Sequence, residues 1–186
     1  SRLAWHFVEH SFKVFVSVSL DVAAERIMND HRGSVEKYSS VEEAKRLIAE
    51  RAKTESIRYK DIYNLNYMDF SNYNLIIDST YCDPETIADI IMEEAKAFYE
   101  RQEYGSKMLV SPKRLILDGT GNDMDSKEEL NTDEFKNKEK AVLYDKDIII
   151  KVKRQDDKYK VIDNHKYAKK ALYSEACFVQ IKIADD

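Results

Sequence analysis

Arg46, Arg51, Glu55 and Arg58 follow one another at intervals of 5, 4 and 3 residues in a helix-forming stretch. The last three stand at i, i+4 and i+7, so a helix places them on one face. Two guanidinium forks with a carboxylate between them suit recognition of a phosphate together with a sugar hydroxyl. The same spacing also describes a solvated helix face laced with intrahelical ion pairs. Spacing alone leaves both readings open, and the second is the commoner arrangement. Other polar groupings carry less. His6 and His10 have the separation of a metal-binding pair on a helix, but no third ligand follows, so no metal site is expected. The run Asp118-Gly119-Thr120-Gly121-Asn122-Asp123-Met124-Asp125 has the oxygens of a calcium loop but not its glycine at the sixth position or its glutamate at the twelfth, and reads as a turn. Tyr59, Tyr63, Tyr67 and Tyr73 are expected to pack a helix against a sheet rather than to stack bases.

The elements that must hold these residues can be read from apolar periodicity. Residues 12–18 form a β-branched and aromatic run, a strand. Asp21 is placed to cap a helix carrying Val22, Ala23, Ile27 and Met28, and residues 30–34 break it. Ser40 and Glu43 have the spacing of a capping box, opening a long helix toward Tyr63. Residues 74–78 are a short buried strand, and Asp83-Pro84-Glu85 starts a helix with Pro in its first turn. The order strand, helix, long helix, strand, helix belongs to an α/β fold with a parallel sheet and flanking helices. Two strands are few for such a sheet. The chain also opens on Ser1 without lead-in, so further strands are expected upstream of it.

A seam is expected at Gly105-Ser106-Lys107. Residues 1–104 hold 13 Lys and Arg against 19 Asp and Glu, while residues 105–186 hold 17 against 16. The division predicts two domains, 1–104 and 105–186. The second reads as α+β: a strand region over 109–117, a polar stretch over 118–140, a hairpin of 147–153 with 159–163, a helix over 165–173 and a strand over 177–183.

With 43% hydrophobic residues, 12 Tyr and 7 Phe among 186 residues, the chain is globular, not disordered. No apolar run approaches the roughly 20 residues of a membrane span. Two cysteines without a CxxC pair fit a reducing, cytoplasmic setting. A net charge of −5 gives no case for nucleic-acid binding.

Five short segments then recur in order. They are Ser1-Arg2-Leu3-Ala4-Trp5, the strand Val14–Val18, Ala24-Glu25-Arg26-Ile27, Glu50-Arg51 with Arg58-Tyr59, and Ser71-Asn72-Tyr73-Asn74-Leu75-Ile76-Ile77-Asp78. In this order they resemble the C-terminal half of cytidylate kinase-like proteins, P-loop nucleoside monophosphate kinases, over about residues 1–100. The resemblance implies that Arg2 binds the acceptor nucleotide's phosphate and that Arg26, entering the lid, lies along the donor nucleotide. It further implies that Arg51 and Arg58 neutralise charge on the phosphates and that Glu55 contacts the acceptor sugar. Ala52 departs from the family, which carries an acid there. The implied activity is transfer of the γ-phosphoryl of ATP, with Mg²⁺, to CMP or dCMP, a reaction in which positioning and charge neutralisation do most of the catalysis. No Gly here is followed by Lys, so the GxxxxGK[ST] loop is not among these residues; in the family it lies upstream of residue 1.

In the second part, Tyr159 to Leu172 resembles the strand–turn–helix of the ParB/sulfiredoxin-like superfamily, with Asn164 at the place of its glycine and Lys166 at that of its arginine. That resemblance implies a phosphate-binding turn of Asp163, Asn164, His165 and Lys166 at a helix start. Capping of the helix by Asp163 or Asn164 is the plainer alternative. Two further functional readings stand beside the kinase. One is a non-catalytic nucleotide-binding regulator. The other is a small-molecule kinase acting through the C-terminal part.

Overall fold

The computed structural model describes residues 2–30, 38–100, 104–117 and 147–184. The sequence reading of residues 31–37 and of 118–146, the calcium-like run included, lies outside them. The chain divides into two compact units: Ser1–Thr80 with Glu85–Ser106, and Tyr81–Pro84 with Lys107–Asp186.

The first unit is α/β. It contains α1 (Ala4–Phe7), β1 (Val14–Ser17), α2 (Leu20–Asn29), α3 (Val41–Tyr63), a 3-10 turn at Phe70–Asn72, β2 (Leu75–Asp78) and the long helix α4 (Pro84–Glu100). β1 and β2 are parallel, with Val14 beside Leu75 and Ser17 beside Asp78. The register is set at both ends. At the start, the Lys13 amide donates to the Asn74 side chain at 2.9 Å, and the Asn74 amide donates to the Lys13 carbonyl at 2.8 Å. At the far end the Ser79 amide donates to the Ser17 carbonyl at 2.7 Å. All four β2 residues are buried, as a strand covered on both faces requires.

Two helix starts show how short polar side chains fix this layer. α2 begins at Leu20 because Ser19, not Asp21, is its cap: the Ser19 hydroxyl accepts from the Val22 amide at 3.3 Å. The sequence reading missed this because Ser and Asp are both good caps, and Asp21 is instead drawn to Lys45 of α3, 2.6 Å away. The Ser40 hydroxyl accepts from the Glu43 amide at 3.1 Å, and the Glu43 carboxylate accepts from the Ser39 amide at 2.7 Å, a capping box displaced by one residue on its return arm. α2 packs against α3, and each helix buries one alanine completely, Ala24 and Ala44. α3 ends at Asn64, whose φ of 55° is tolerated by its short amide side chain. α1 stops at Phe7, and His10 lies beyond it at a φ of 51°. His6 and His10 therefore share no helix face.

The second unit is α+β, built from β3 (Lys107–Val110), a 3-10 turn at Pro112–Arg114, β4 (Leu115–Ile116), β5 (Ile149–Gln155), β6 (Lys158–Val161), α5 (His165–Tyr173) and β7 (Val179–Ile183). The expected strand over 109–117 is interrupted because Pro112 cannot donate to a ladder and turns the chain. β7, last in sequence, inserts between β3, antiparallel to it, and β5, parallel to it. β5 and β6 form the expected hairpin, closed over Asp156 and Asp157 with Asp156 at a φ of 50°.

Arg114 locks that turn. Its guanidinium is buried and donates from Nε at 3.1 Å and Nη2 at 2.6 Å to the Asp157 carbonyl, and from Nη2 at 2.8 Å to the Asp157 carboxylate. It also lies 5.3 Å from the centre of the Tyr159 ring. Charge-assisted bonds with a buried partner are the costly ones to lose. Arg114→Ala is expected to lower unfolding free energy by about 2 kcal/mol in urea titrations, and Arg114→Lys, lacking the planar fork, to recover only part of it.

Candidate functional site

The expected site residues of the first unit fall into two groups. The first is built on the outer face of α3. Glu55 is nearly buried, and its carboxylate takes two guanidinium groups. Arg2 Nη1 donates to Oε2 within short hydrogen-bond distance, and Arg51 Nε lies 3.3 Å from Oε1. One arginine comes from the same helix and the other from 53 residues upstream, so the arrangement is more than an intrahelical pair. The purely intrahelical pattern is also present one turn earlier, where Arg46 meets Glu50 at 2.7 Å.

Tyrosines complete this group. The Arg2 guanidinium lies 5.9 Å from the centre of the buried Tyr67 ring, a distance at which the ring face attracts a cation. Tyr67 is edge-on to Tyr59 at 5.7 Å and donates its phenol to the Ala52 carbonyl of α3 at 3.4 Å. Arg58 is exposed and its guanidinium sits 5.3 Å from the Tyr59 ring centre. Arg2, Arg51 and Arg58 thus touch one connected set of side chains: Glu55, Tyr67 and Tyr59. Tyr67 was expected only to pack helix on sheet; its role in seating Arg2 had no signal in the sequence, since the contact spans 65 residues. Tyr63 departs from its expected packing role, remaining half exposed and meeting Phe7 edge-on at 6.0 Å.

The second group gathers at the carboxyl ends of β1 and β2, where ligands of parallel α/β sheets bind. Asp78 is fully buried; its Oδ1 accepts from the Thr80 amide at 3.1 Å and from the Thr80 hydroxyl. The same hydroxyl accepts from the Ser19 amide at 2.9 Å. Arg26, on α2, reaches back to this corner: Nη2 donates to the Ser79 carbonyl at 2.6 Å and to the Thr80 carbonyl at 3.4 Å, and Nη1 to the Ser79 hydroxyl at 3.4 Å. The guanidinium is thereby tied to the strand end on a side chain that stays exposed. Arg26 touches none of Arg2, Glu55, Arg51 or Arg58.

In the second unit the turn of Asp163, Asn164, His165 and Lys166 is occupied in part by its own sheet. Asp163 accepts from the Lys151 amide at 2.7 Å and lies 3.7 Å from the Lys151 ammonium; Asn164 donates to the Ile149 carbonyl at 3.0 Å. Asn164 precedes α5 at a φ of 56° without a side-chain cap bond, so the expected helix capping by Asn164 is replaced by a tie to β5. His165 and Lys166 are exposed. Among the described residues no group of three His, Cys, Asp or Glu could hold a metal ion, and no helix is long and apolar enough to cross a membrane.

Tyr73 supports the first group from below. Its buried phenol donates to the Tyr67 carbonyl at 2.8 Å, and burial, followed by the neighbouring Tyr67 and Asp69, pushes its pKa up to about 12. A phenol that ionises near its ordinary value when unfolded and later when folded stabilises the fold fully below pH 10 and loses that contribution as pH rises toward 12. Thermal melts of Tyr73→Phe are therefore expected to fall less steeply over this alkaline window than those of the unmodified chain. A second expectation concerns Glu55, which serves as an internal anion for Arg2 and Arg51. Glu55→Gln keeps its volume and removes the charge, so millimolar inorganic phosphate is expected to raise the melting temperature of the variant more than that of the parent. An equal response in both would show that the two guanidinium groups do not act together.

Residues 1–81, the stretch that carries Arg2, Arg26, Arg51, Glu55 and Arg58, match the model of the cytidylate kinase-like family. The chain is 37% identical over 95 residues to the cytidylate kinase of Methanobrevibacter smithii, a match covering 51% of this chain and 52% of that protein. It is 31% identical over 107 residues to the cytidylate kinase of Natronomonas pharaonis (56% and 53% covered). With the cytidylate kinase of Methanococcoides burtonii it shares 31% over 96 residues (52% and 51% covered). The chain spans about half the length of the curated relatives it matches, and no solved structure matches it. The similarity to cytidylate kinases therefore lies in the unit where two guanidinium groups share the Glu55 carboxylate.

Proposed function

We propose that the protein is a nucleoside monophosphate kinase of the cytidylate kinase type, moving the γ-phosphoryl group of ATP to CMP or dCMP. The observation that carries this reading is the Glu55 carboxylate held between Arg2 and Arg51, beside Arg58. Phosphoryl transfer demands little covalent chemistry from the protein; it demands cations fixed where the phosphate oxygens gather charge. In this reading a phosphate displaces Glu55 from the two guanidinium groups, each of which can offer paired N–H donors to its oxygens. Glu55, released, accepts from a hydroxyl of the acceptor sugar. Arg2, seated against Tyr67, binds the acceptor phosphate, while Arg51 and Arg58 approach from α3 with the phosphates between them. Arg26, laid along the Ser79 and Thr80 carbonyls, offers a flat cationic surface to the base of the donor nucleotide.

ATP fits these residues by its phosphate charge and planar base. Mg²⁺ would supply further neutralisation on the phosphates; no described cluster of this chain is assigned to it. The phosphate-binding glycine loop belongs, in this proposal, to the whole protein rather than to these 186 residues.

Steady-state assays of the full-length protein with ATP and a panel of monophosphates test the proposal. Turnover is expected with CMP or dCMP, and Arg51→Ala is expected to lower kcat by about 100-fold or more, as for loss of one transition-state donor. Nucleotide binding without product from any monophosphate would retire the kinase and leave a nucleotide-responsive regulator.

A further inference from the structure

A cavity of about 580 Å³ opens in the first unit at the amino-terminal ends of β1 and β2, where Lys13 precedes one strand and Asn74 the other. Asp78 and Arg26 lie at the opposite ends of these parallel strands, and none of Arg2, Arg26, Arg51, Glu55 or Arg58 lines the cavity. Its volume falls in the range of small-molecule sites. Two ring pairs supply apolar walls, Trp5 with Tyr73 at 6.0 Å between centres and Phe98 with Tyr104 at 5.6 Å. Both pairs are anchored. The Tyr104 phenol donates to the buried Glu94 carboxylate at 2.5 Å, and the Ser106 hydroxyl donates to the Tyr73 carbonyl at 2.8 Å. Walls fixed before binding lose little freedom when a ligand arrives.

The polar lining is one-sided. No residue that lines the cavity is acidic, although acids outnumber bases over residues 1–104. His6, His10 and Lys13 line it, and none of the three forms an ion pair among the described residues. The Asn74 side-chain oxygen accepts from the Lys13 amide, while its Nδ2 hydrogens stay unused among the described residues. The Trp5 indole N–H is buried and has no acceptor among them, an uncommon and costly state for a donor. The hydroxyls, by contrast, are committed: Ser11 donates to the Val8 carbonyl at 2.9 Å, as Ser106 does to Tyr73. The lining thus offers flat rings, unused donors and a lysine charge, with no carboxylate to answer them. We propose that this cavity is a second ligand site, taking a small aromatic anion: one or two fused rings bearing a carboxylate or a phosphate. The ring system lies against the aromatic walls. Lys13 supplies the counter-charge, and the Asn74 amide donates to the anionic oxygens.

The test titrates the full-length protein by calorimetry with four probes: 1-naphthyl phosphate, 1-naphthoate, neutral 1-naphthol and inorganic phosphate. Trp5 is the one tryptophan of these 186 residues, so its indole N–H resonance, identified by its loss in Trp5→Phe, reports on the cavity wall directly. At least one aromatic anion is expected to bind about tenfold more tightly than both 1-naphthol and inorganic phosphate, and to shift that resonance. The tighter of the two anions identifies the acidic group. Lys13→Met keeps the aliphatic stem and the backbone bonds to Asn74, and is expected to raise the anion's Kd about tenfold. Equal binding of 1-naphthol would reduce the site to an apolar pocket, and equal binding of inorganic phosphate would reduce it to a simple anion site. Either result, an unmoved Trp5 resonance, an unchanged Kd in Lys13→Met, or no binding of either aromatic anion overturns the proposal. The four-probe series on the unsubstituted protein decides the matter if Lys13→Met fails to fold. No phosphoryl transfer enters the readout, so failure here leaves the kinase proposal standing.

Discussion

A fully buried carboxylate sets the terms for the first unit. Asp78 has no access to water, and a polar group in that position persists only where donors replace its hydration. The donors come from Thr80, two residues on, so the chain must fold back sharply as it leaves β2. Once turned, the Thr80 hydroxyl has an acceptor lone pair left, and the Ser19 amide fills it, which fixes the end of β1 to the end of β2. Ser19 in turn caps α2. A single buried polar side chain thereby determines where two strands end and where a helix begins. Arg26 stands on that helix, and the same turn presents to it the Ser79 and Thr80 carbonyls. Such a network is stable because every member is satisfied; removing one partner would leave a buried polar group without its bond.

The arginine group follows the opposite rule. Arg2 is nearly half and Arg51 well over half exposed, so water screens them and their pairing with Glu55 adds little to stability. What the pairing does is hold two cations close together that would otherwise repel. A loosely bound internal anion suits a site meant to exchange it for a phosphate, because the resting pairs cost little to break. The rigid part lies beneath, in Tyr67 and Tyr73, where a buried phenol and edge-on rings define the surface against which Arg2 rests. Rigid support under an exchangeable charge layer is the division of labour that phosphate recognition needs.

Much of this was legible from the residues. The strands and helices of the first unit follow the apolar period, and the i, i+4 spacing of Arg51 and Glu55 yields the ion pair observed. Arg2 on Glu55 was not legible from spacing, since 53 residues separate them; only the ordered resemblance placed them in one site. The Ser19 cap was missed because two capping residues compete within three positions and a tertiary pairing to Lys45 decides between them. In the second unit the alternation of β5 and β6 was plain, yet the insertion of β7 between β3 and β5 is a matter of long-range pairing, on which local pattern is silent. His6 and His10 show a spacing that local pattern alone overstates. Their spacing is helical, but a turn at His10 ends the helix before they can share a face.

The charges of the second unit bear on how its helix start can be used. Lys153 stands directly opposite Lys160 on the hairpin, and Lys151 beside Lys182 on the neighbouring pair. Like charges across a ladder repel, though solvent exposure and a Debye length of about 8–10 Å at ordinary salt keep the cost small. Asp163 relieves part of it by taking both the amide and the ammonium of Lys151. That relief commits the carboxylate to the sheet, and Asn164, in the left-handed region, is committed to the Ile149 carbonyl. The two residues before α5 thus act as a hinge pin between hairpin and helix. Any anion approaching this turn would meet His165, Lys166 and the first amides of α5, with no side chain from Asp163 or Asn164 free to turn toward it without releasing β5.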